Sequence, residues 1–118
     1  MNVLVVDDSV TMVLSLKTTL TMHGFQVQTA CNGREGLEKY QAGSFDLVMT
    51  DRAMPEVNGD VLAANIKKIN PRQPVILLTG FGDLMSGAGE QPPGVDLVVG
   101  KPFTFATLRN AIAKATGR

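Results

Sequence analysis

Short apolar runs alternate with stretches of helical spacing along the whole chain. Residues 1–6 form a compact apolar run that the acidic pair Asp7-Asp8 stops. From Ser9 to His23 the spacing turns helical, with Val13, Leu16 and Leu20 on one face. Ser9 suits the N-cap and Gly24 the end. Phe25, Val27 and Thr29 then alternate with polar residues, the pattern of a strand buried on one face. Asn32 is placed to cap a second helix with Leu37 and Tyr40 inward and Gly43 as its stop. Residues 45–50 read as a third strand. Leu62, Ile66 and Ile69 recur at i, i+4 and i+7, and Pro71 closes that helix. Residues 75–78 are a continuous apolar run, the mark of a strand covered on both faces, and 95–99 resemble it. The last helix is expected to start near Thr104, to turn Phe105, Leu108, Ile112 and Ala115 inward, and to end at Gly117.

One stretch resists the pattern. Between Thr79 and Val95 a helix is due, yet the chain reads GFGDLMSGAGEQPPG. Each interior glycine costs about 0.5–1 kcal/mol relative to alanine, and proline about 3. A short or frayed helix near residues 83–88 is the most this sequence supports.

Repeated strand–helix alternation predicts a parallel sheet with helices on both faces. Only the second strand alternates cleanly, so it belongs at an edge, as strand order 2-1-3-4-5 requires. In such a sheet, ligands bind beyond the carboxyl ends of the strands, where strand order reverses. Those ends carry Asp7-Asp8, Thr50-Asp51, Thr79-Gly80 and Lys101-Pro102. The topology therefore gathers three carboxylates, a hydroxyl and an ammonium on one rim.

Clustered carboxylates repel unless a hard cation sits among them, and Mg²⁺ suits few protein ligands and several waters. A carboxylate beside such an ion can attack phosphorus and form an acyl phosphate. That transfer is mostly positioning and charge stabilisation. Lys101 and Thr79 would then each meet one phosphoryl oxygen. A lone acidic pair would more readily be read as a polar stop, Asp51 as a turn residue and Lys101 as a solvated loop lysine. Their convergence is what changes the reading.

The chain resembles a response-regulator receiver domain over essentially its whole length, residues 1–118 forming one domain. The resemblance rests on VLVVDDS at 3–9, DLVMTDRAMPEVNG at 46–59, VILLTG at 75–80 and GKPF at 100–103, in that order and spacing. It implies a flavodoxin-like, doubly wound five-stranded sheet with a weak fourth helix. It implies that Asp51 is the phosphoacceptor and Asp8 a direct Mg²⁺ ligand. Asp7 would act through water or as a second ligand, and the Ala53 carbonyl would complete the set. Lys101 would pair with the phosphoryl group, with a cis bond to Pro102. Thr79 would follow the phosphate and move the next loop. The donor would be a phosphohistidine on a histidine kinase or phosphotransfer domain, docked near the start of the first helix and the 101–103 loop. The chain would catalyse its own phosphorylation and dephosphorylation without being an enzyme in the usual sense.

Several positions depart from the family pattern. A Tyr or Phe usual three residues before the lysine is Val98 here, which has no comparable rotamer swing. Readout would instead run through residues 80–94, checked by amide exchange with a phosphoryl mimic. Ala53 and Phe81 are apolar and cannot orient an attacking water, so the phosphorylated state should be long-lived.

Composition narrows the field. The 118 residues hold 11 Lys plus Arg against 11 Asp plus Glu, which gives no electrostatic reason for direct nucleic-acid or membrane contact. Cys31 is the single cysteine, so no internal disulfide forms, and it reads as a small half-buried residue. No apolar run approaches the roughly 20 residues that span a bilayer, and no export signal opens the chain, so a cytoplasmic setting is expected. His23 reads as a helix-end residue suited to the dipole, and the six methionines as packing. No output segment follows residue 116, which fits a stand-alone carrier or a receiver cut from a hybrid sensor kinase. Competing functions are a flavin module, whose phosphate two carboxylates would repel, and an Asp-nucleophile phosphatase, whose D-x-D is absent. A degenerate receiver used only for protein contact is the third.

Overall fold

The computed structural model describes residues 1–54, 57–80 and 94–117. Five strands, β1 (Asn2–Val6), β2 (Gln26–Ala30), β3 (Leu47–Asp51), β4 (Val75–Thr79) and β5 (Leu97–Gly100), form one sheet. Helices α1 (Val10–Met22), α2 (Gly33–Ala42), α3 (Gly59–Ile69) and α4 (Phe105–Thr116) complete the described elements. The order is β2-β1-β3-β4-β5 with all neighbours parallel, as the sequence predicts. The poorly patterned helix near residues 83–88 and the apolar Phe81 lie outside the described residues, as does the body of the readout segment.

Side chains alternate across a strand, so each central strand feeds two cores. Leu4, Val6, Val48 and Leu77 meet Tyr40 of α2 and Leu62 and Ile66 of α3 on one face. Val3, Val5, Met49, Ile76 and Leu78 meet Leu16 and Leu20 of α1 and Leu108 and Ile112 of α4 on the other. Burying each such Leu or Ile contributes about 1.5–3 kcal/mol. β3 and β4 are buried throughout, whereas β2 alternates exposed and half-buried positions at its edge.

Each described helix starts at a residue whose side chain accepts a backbone N–H otherwise left over in the first turn. Ser9, Asn32, Asn58 and Thr104 accept from Met12, Glu35, Val61 and Thr107 at 3.3, 2.8, 2.9 and 3.1 Å. Gly117 ends α4 in the left-handed region with φ 74°. His23 caps α1, its Nδ1–H donates to the Thr19 carbonyl at 2.9 Å, and its ring stacks on Phe105 with centroids 3.9 Å apart.

Four expectations need correction. Ile69 is 51% exposed, because it is the last residue of α3 and the helix has passed its final buried position, Ile66. Cys31 is exposed, since β2 ends at Ala30 and the thiol turns outward to Glu35 Oε2 at 3.6 Å. The third strand starts two residues later than expected and runs through Asp51. The fifth starts at Leu97, because the Asp96 carboxylate holds the Val75 amide and Lys67 Nζ, both at 2.8 Å, before pairing begins.

Candidate functional site

The site is built where β1, β3, β4 and β5 end together. Parallel pairing sets Asp51 beside Leu78 and Thr79 beside Gly100, so the ends of the three later strands are level. Asp7 follows β1, and its amide donates to the Ala30 carbonyl at 3.1 Å, tying it to β2. It is 1% exposed. Its Oδ1 accepts the Ser9 amide at 2.9 Å, so the residue that caps α1 also orients the acid. Its Oδ2 accepts from Lys101 Nζ at 3.1 Å. Asp8, next along, is exposed.

Asp51 closes β3 and is 8% exposed. Lys101 Nζ donates to its Oδ1 at 3.0 Å. One ammonium therefore bridges the acids at the ends of two adjacent strands. The Lys101 amide donates to the Thr79 carbonyl at 2.7 Å, and the peptide bond to Pro102 is cis, as the resemblance implied. One carboxylate oxygen from each of Asp7, Asp8 and Asp51 lies within 4.8 Å of the others. This hard-oxygen donor set fits a divalent cation such as Mg²⁺.

Electrostatics follow from that crowding. Burial raises the Asp51 carboxyl above its ordinary value, and the charges of Asp7 and Asp8 push the same way. The Lys101 contact opposes both without cancelling them. Burial alone would lower Lys101, but its bonds to Asp51 and Asp7 win and raise it. Three carboxylates against one ammonium leave the rim with two negative charges in excess when all are ionised. Thr79 is 1% exposed, and its hydroxyl has no hydrogen-bond partner among the described residues. A buried hydroxyl left unpaired costs about 1–3 kcal/mol, so the site is a place with one donor to spare.

Asp7, Asp8, Asp51, Thr79 and Lys101 are thus all at the shared rim, and the structure joins Asp7, Asp51 and Lys101 directly. Ala53 lies two residues beyond Asp51, exposed in the loop to α3. Sequence reasoning missed Gly59. A Cβ there would sit 2.3 Å from the Asp51 carbonyl oxygen and 2.8 Å from Leu77 Cδ1. Only glycine lets α3 abut the phosphoacceptor candidate's backbone this closely. Asn58-Gly59, a cap followed by the smallest residue, was the available signal. The ion pair of Arg52 with Asp60, at 3.2 Å, was also missed.

Comparison with known proteins agrees with this architecture. The family model for the response regulator receiver domain matches residues 3–113. The chain is 36% identical over 114 residues to the transcriptional regulatory protein GlrR of Escherichia coli K12, covering 97% of this chain and 26% of that protein. It thus spans about a quarter of the length of such regulators. It is 34% identical over 115 residues to the chemotaxis protein CheY of Thermotoga maritima, covering 97% of this chain and 96% of that one. The response regulator TrrA of Thermotoga maritima, solved in complex with Mg²⁺-BeF, superposes with a TM-score of 0.85 at 33% identity and covers 97% of both chains. Family model, relatives and sheet order converge: this chain belongs to the response regulator receiver domain family.

Proposed function

We propose that Asp51 accepts a phosphoryl group from a phosphohistidine on a histidine kinase or phosphotransfer domain, and that this sets the conformational state of the 79–101 region. The observation that carries the reading is the Lys101 ammonium bridging Asp51 and Asp7 at 3.0 and 3.1 Å, beside acidic oxygens within 4.8 Å of one another. Asp7, Asp8, Asp51 and the Ala53 carbonyl would hold Mg²⁺. When bound, that ion supplies positive charge to the phosphoryl oxygens and to the attacking carboxylate.

The chain's own groups do the rest. An Asp51 oxygen attacks phosphorus as the P–N bond breaks, and the electron pair returns to the donor's imidazole nitrogen, which takes up a proton. The product is an acyl phosphate. Lys101, already held between the two acids, needs little reorganisation to meet a phosphoryl oxygen. The Thr79 hydroxyl, unpartnered among the described residues, donates to another. Ala53 offers no group to orient water, which favours a long-lived phosphorylated state. The site retains every reactive group, so nothing in it favours a role limited to protein contact. No described helix is long and apolar enough to cross a membrane, and a cytoplasmic setting is part of the proposal.

Incubation with Mg²⁺ and acetyl phosphate, read by intact mass, tests this directly. Wild type should gain one phosphoryl group that hydroxylamine removes, and Asp51→Asn should gain none. Equal labelling of both proteins, or wild type that neither gains a phosphoryl group from acetyl phosphate nor is stabilised against unfolding by Mg²⁺ with beryllofluoride, would sink the reading.

A further inference from the structure

The loop from β3 to α3 is closed twice. In the backbone, the Gly59 amide donates to the Arg52 carbonyl at 2.9 Å, while the Arg52 amide donates to the Leu78 carbonyl on β4 at 2.9 Å. Among side chains, Arg52 Nη2 donates to Asp60 Oδ2 at 3.2 Å. The second Asp60 oxygen, Oδ1, is buried without a hydrogen-bond partner among the described residues, so the Arg52 bond and the N-terminus of α3 are the compensation seen for this carboxylate. The closure has no slack, because a Cβ on Gly59 would come within 3.0 Å of Arg52 Cα and 2.3 Å of the Asp51 carbonyl.

Arg52 stands between Asp51 and Ala53 in the chain. Any shift of its backbone moves both the Asp51 carboxylate and the Ala53 carbonyl relative to the acids that follow β1. We propose that the Arg52–Asp60 ion pair is a positioning clamp that sets the divalent-cation affinity of the rim. Neither residue is a ligand; both act through the loop. The inference rests on the metal-assisted reading of the site given above.

Charge and clamp make opposite predictions for one variant. Removing the Arg52 cation adds net negative charge near the site, which by Coulomb's law alone tightens Mg²⁺ binding. Loss of the clamp loosens it. Replacing Asp60 weakens binding in both cases, so Arg52 discriminates.

The experiment is calorimetric titration of Mg²⁺ alone into wild type, Arg52→Met, Arg52→Lys, Asp60→Asn and the Arg52→Met/Asp60→Asn double variant. Urea unfolding in EDTA accompanies it to establish that each is folded. Arg52→Met and Asp60→Asn should each weaken the Kd by about threefold to tenfold, between the effect of a surface ion pair and that of an outer-shell metal partner. The double variant should be no weaker than the singles, and Arg52→Lys should stay within about twofold. Tighter binding by Arg52→Met overturns the clamp. So does a lowered unfolding midpoint with an unchanged Kd. Wild type that binds no Mg²⁺ overturns the site reading and the clamp together, whereas normal wild-type binding with unchanged variants overturns the clamp alone.

Discussion

Replacing Asp51 with Asn should make the metal-free protein more stable and its response to Mg²⁺ weaker. At an effective dielectric of about 20, two like charges 4.8 Å apart repel by about 3 kcal/mol. Asp51 has two such neighbours, Asp7 and Asp8. Its contact with Lys101 at 3.0 Å offsets about 5 kcal/mol of that on the same scale. A surplus repulsion of about 1 kcal/mol remains, and burial of the charge adds to it. The raised carboxyl points the same way. A carboxyl raised in the folded state contributes stability below its unfolded value and loses it as pH rises through the folded value, so at neutral pH its ionised form is a net cost. Asp51→Asn removes that cost and should raise the unfolding free energy by about 1–2 kcal/mol, or roughly 4–8 °C in Tm. Mg²⁺ reverses the ranking. At about 100 times its Kd it should stabilise wild type by about 2.7 kcal/mol, and the variant, lacking one proposed ligand, should gain less. Thermal unfolding by circular dichroism in EDTA and then in graded Mg²⁺ measures both halves. An Asn variant less stable than wild type in EDTA, or one matching its Mg²⁺ response, would refute the electrostatic account.

Three further perturbations probe separate parts of the rim. Lys101→Met strands Asp7 and Asp51 and should cost about 2 kcal/mol without metal, yet tighten Mg²⁺ binding by removing a competing cation; urea unfolding and calorimetry read the two. Because Lys101 is raised in the folded state, its stabilising contribution should hold at neutral pH and fade only as pH climbs from its ordinary range through the folded value, visible as an alkaline loss of stability absent from the Met variant. Thr79→Val removes a buried hydroxyl that is unpaired among the described residues while keeping its shape, so stability should rise by about 1 kcal/mol while the beryllofluoride-induced stabilisation shrinks. Gly59→Ala forces a methyl against the Asp51 carbonyl and should cost about 1–3 kcal/mol in urea and slow labelling by acetyl phosphate.

Much of this was readable in the sequence because it follows from periodicity. Leu16, Leu20, Leu62, Ile66, Leu108 and Ile112 are buried on the faces their spacing predicts. Ser9, Asn32 and Thr104 cap the helices they precede. The site was readable for a topological reason: once the strands are parallel, their last residues must share a rim, whatever separates them in the chain. Periodicity fails where an element ends. Ile69 continues the i+7 series of α3 but has run past the last buried turn, and Cys31 lies one residue beyond the strand that would have covered it. It also fails across loops. Arg52 and Asp60 meet, and Gly59 presses on Asp51, across a connection between β3 and α3 that no spacing rule encodes.

The defects of the rim share one property. Two surplus negative charges and a buried hydroxyl unpaired among the described residues are tolerable because β3 and β4 beneath them are buried along their whole length and anchored by a core on each face. Each defect corresponds to a contact that a cation or a phosphoryl oxygen would complete. A ligand shifts a conformational equilibrium only by its differential affinity for the two states. A resting site already satisfied by internal bonds would offer little such difference. This one has an acidic surplus suited to a cation and, among the described residues, an unpaired Thr79 hydroxyl suited to an anion, while Lys101 bridges Asp7 and Asp51. On the proposed function, loading the site would relieve these local defects, and that difference would be the driving force for a switch.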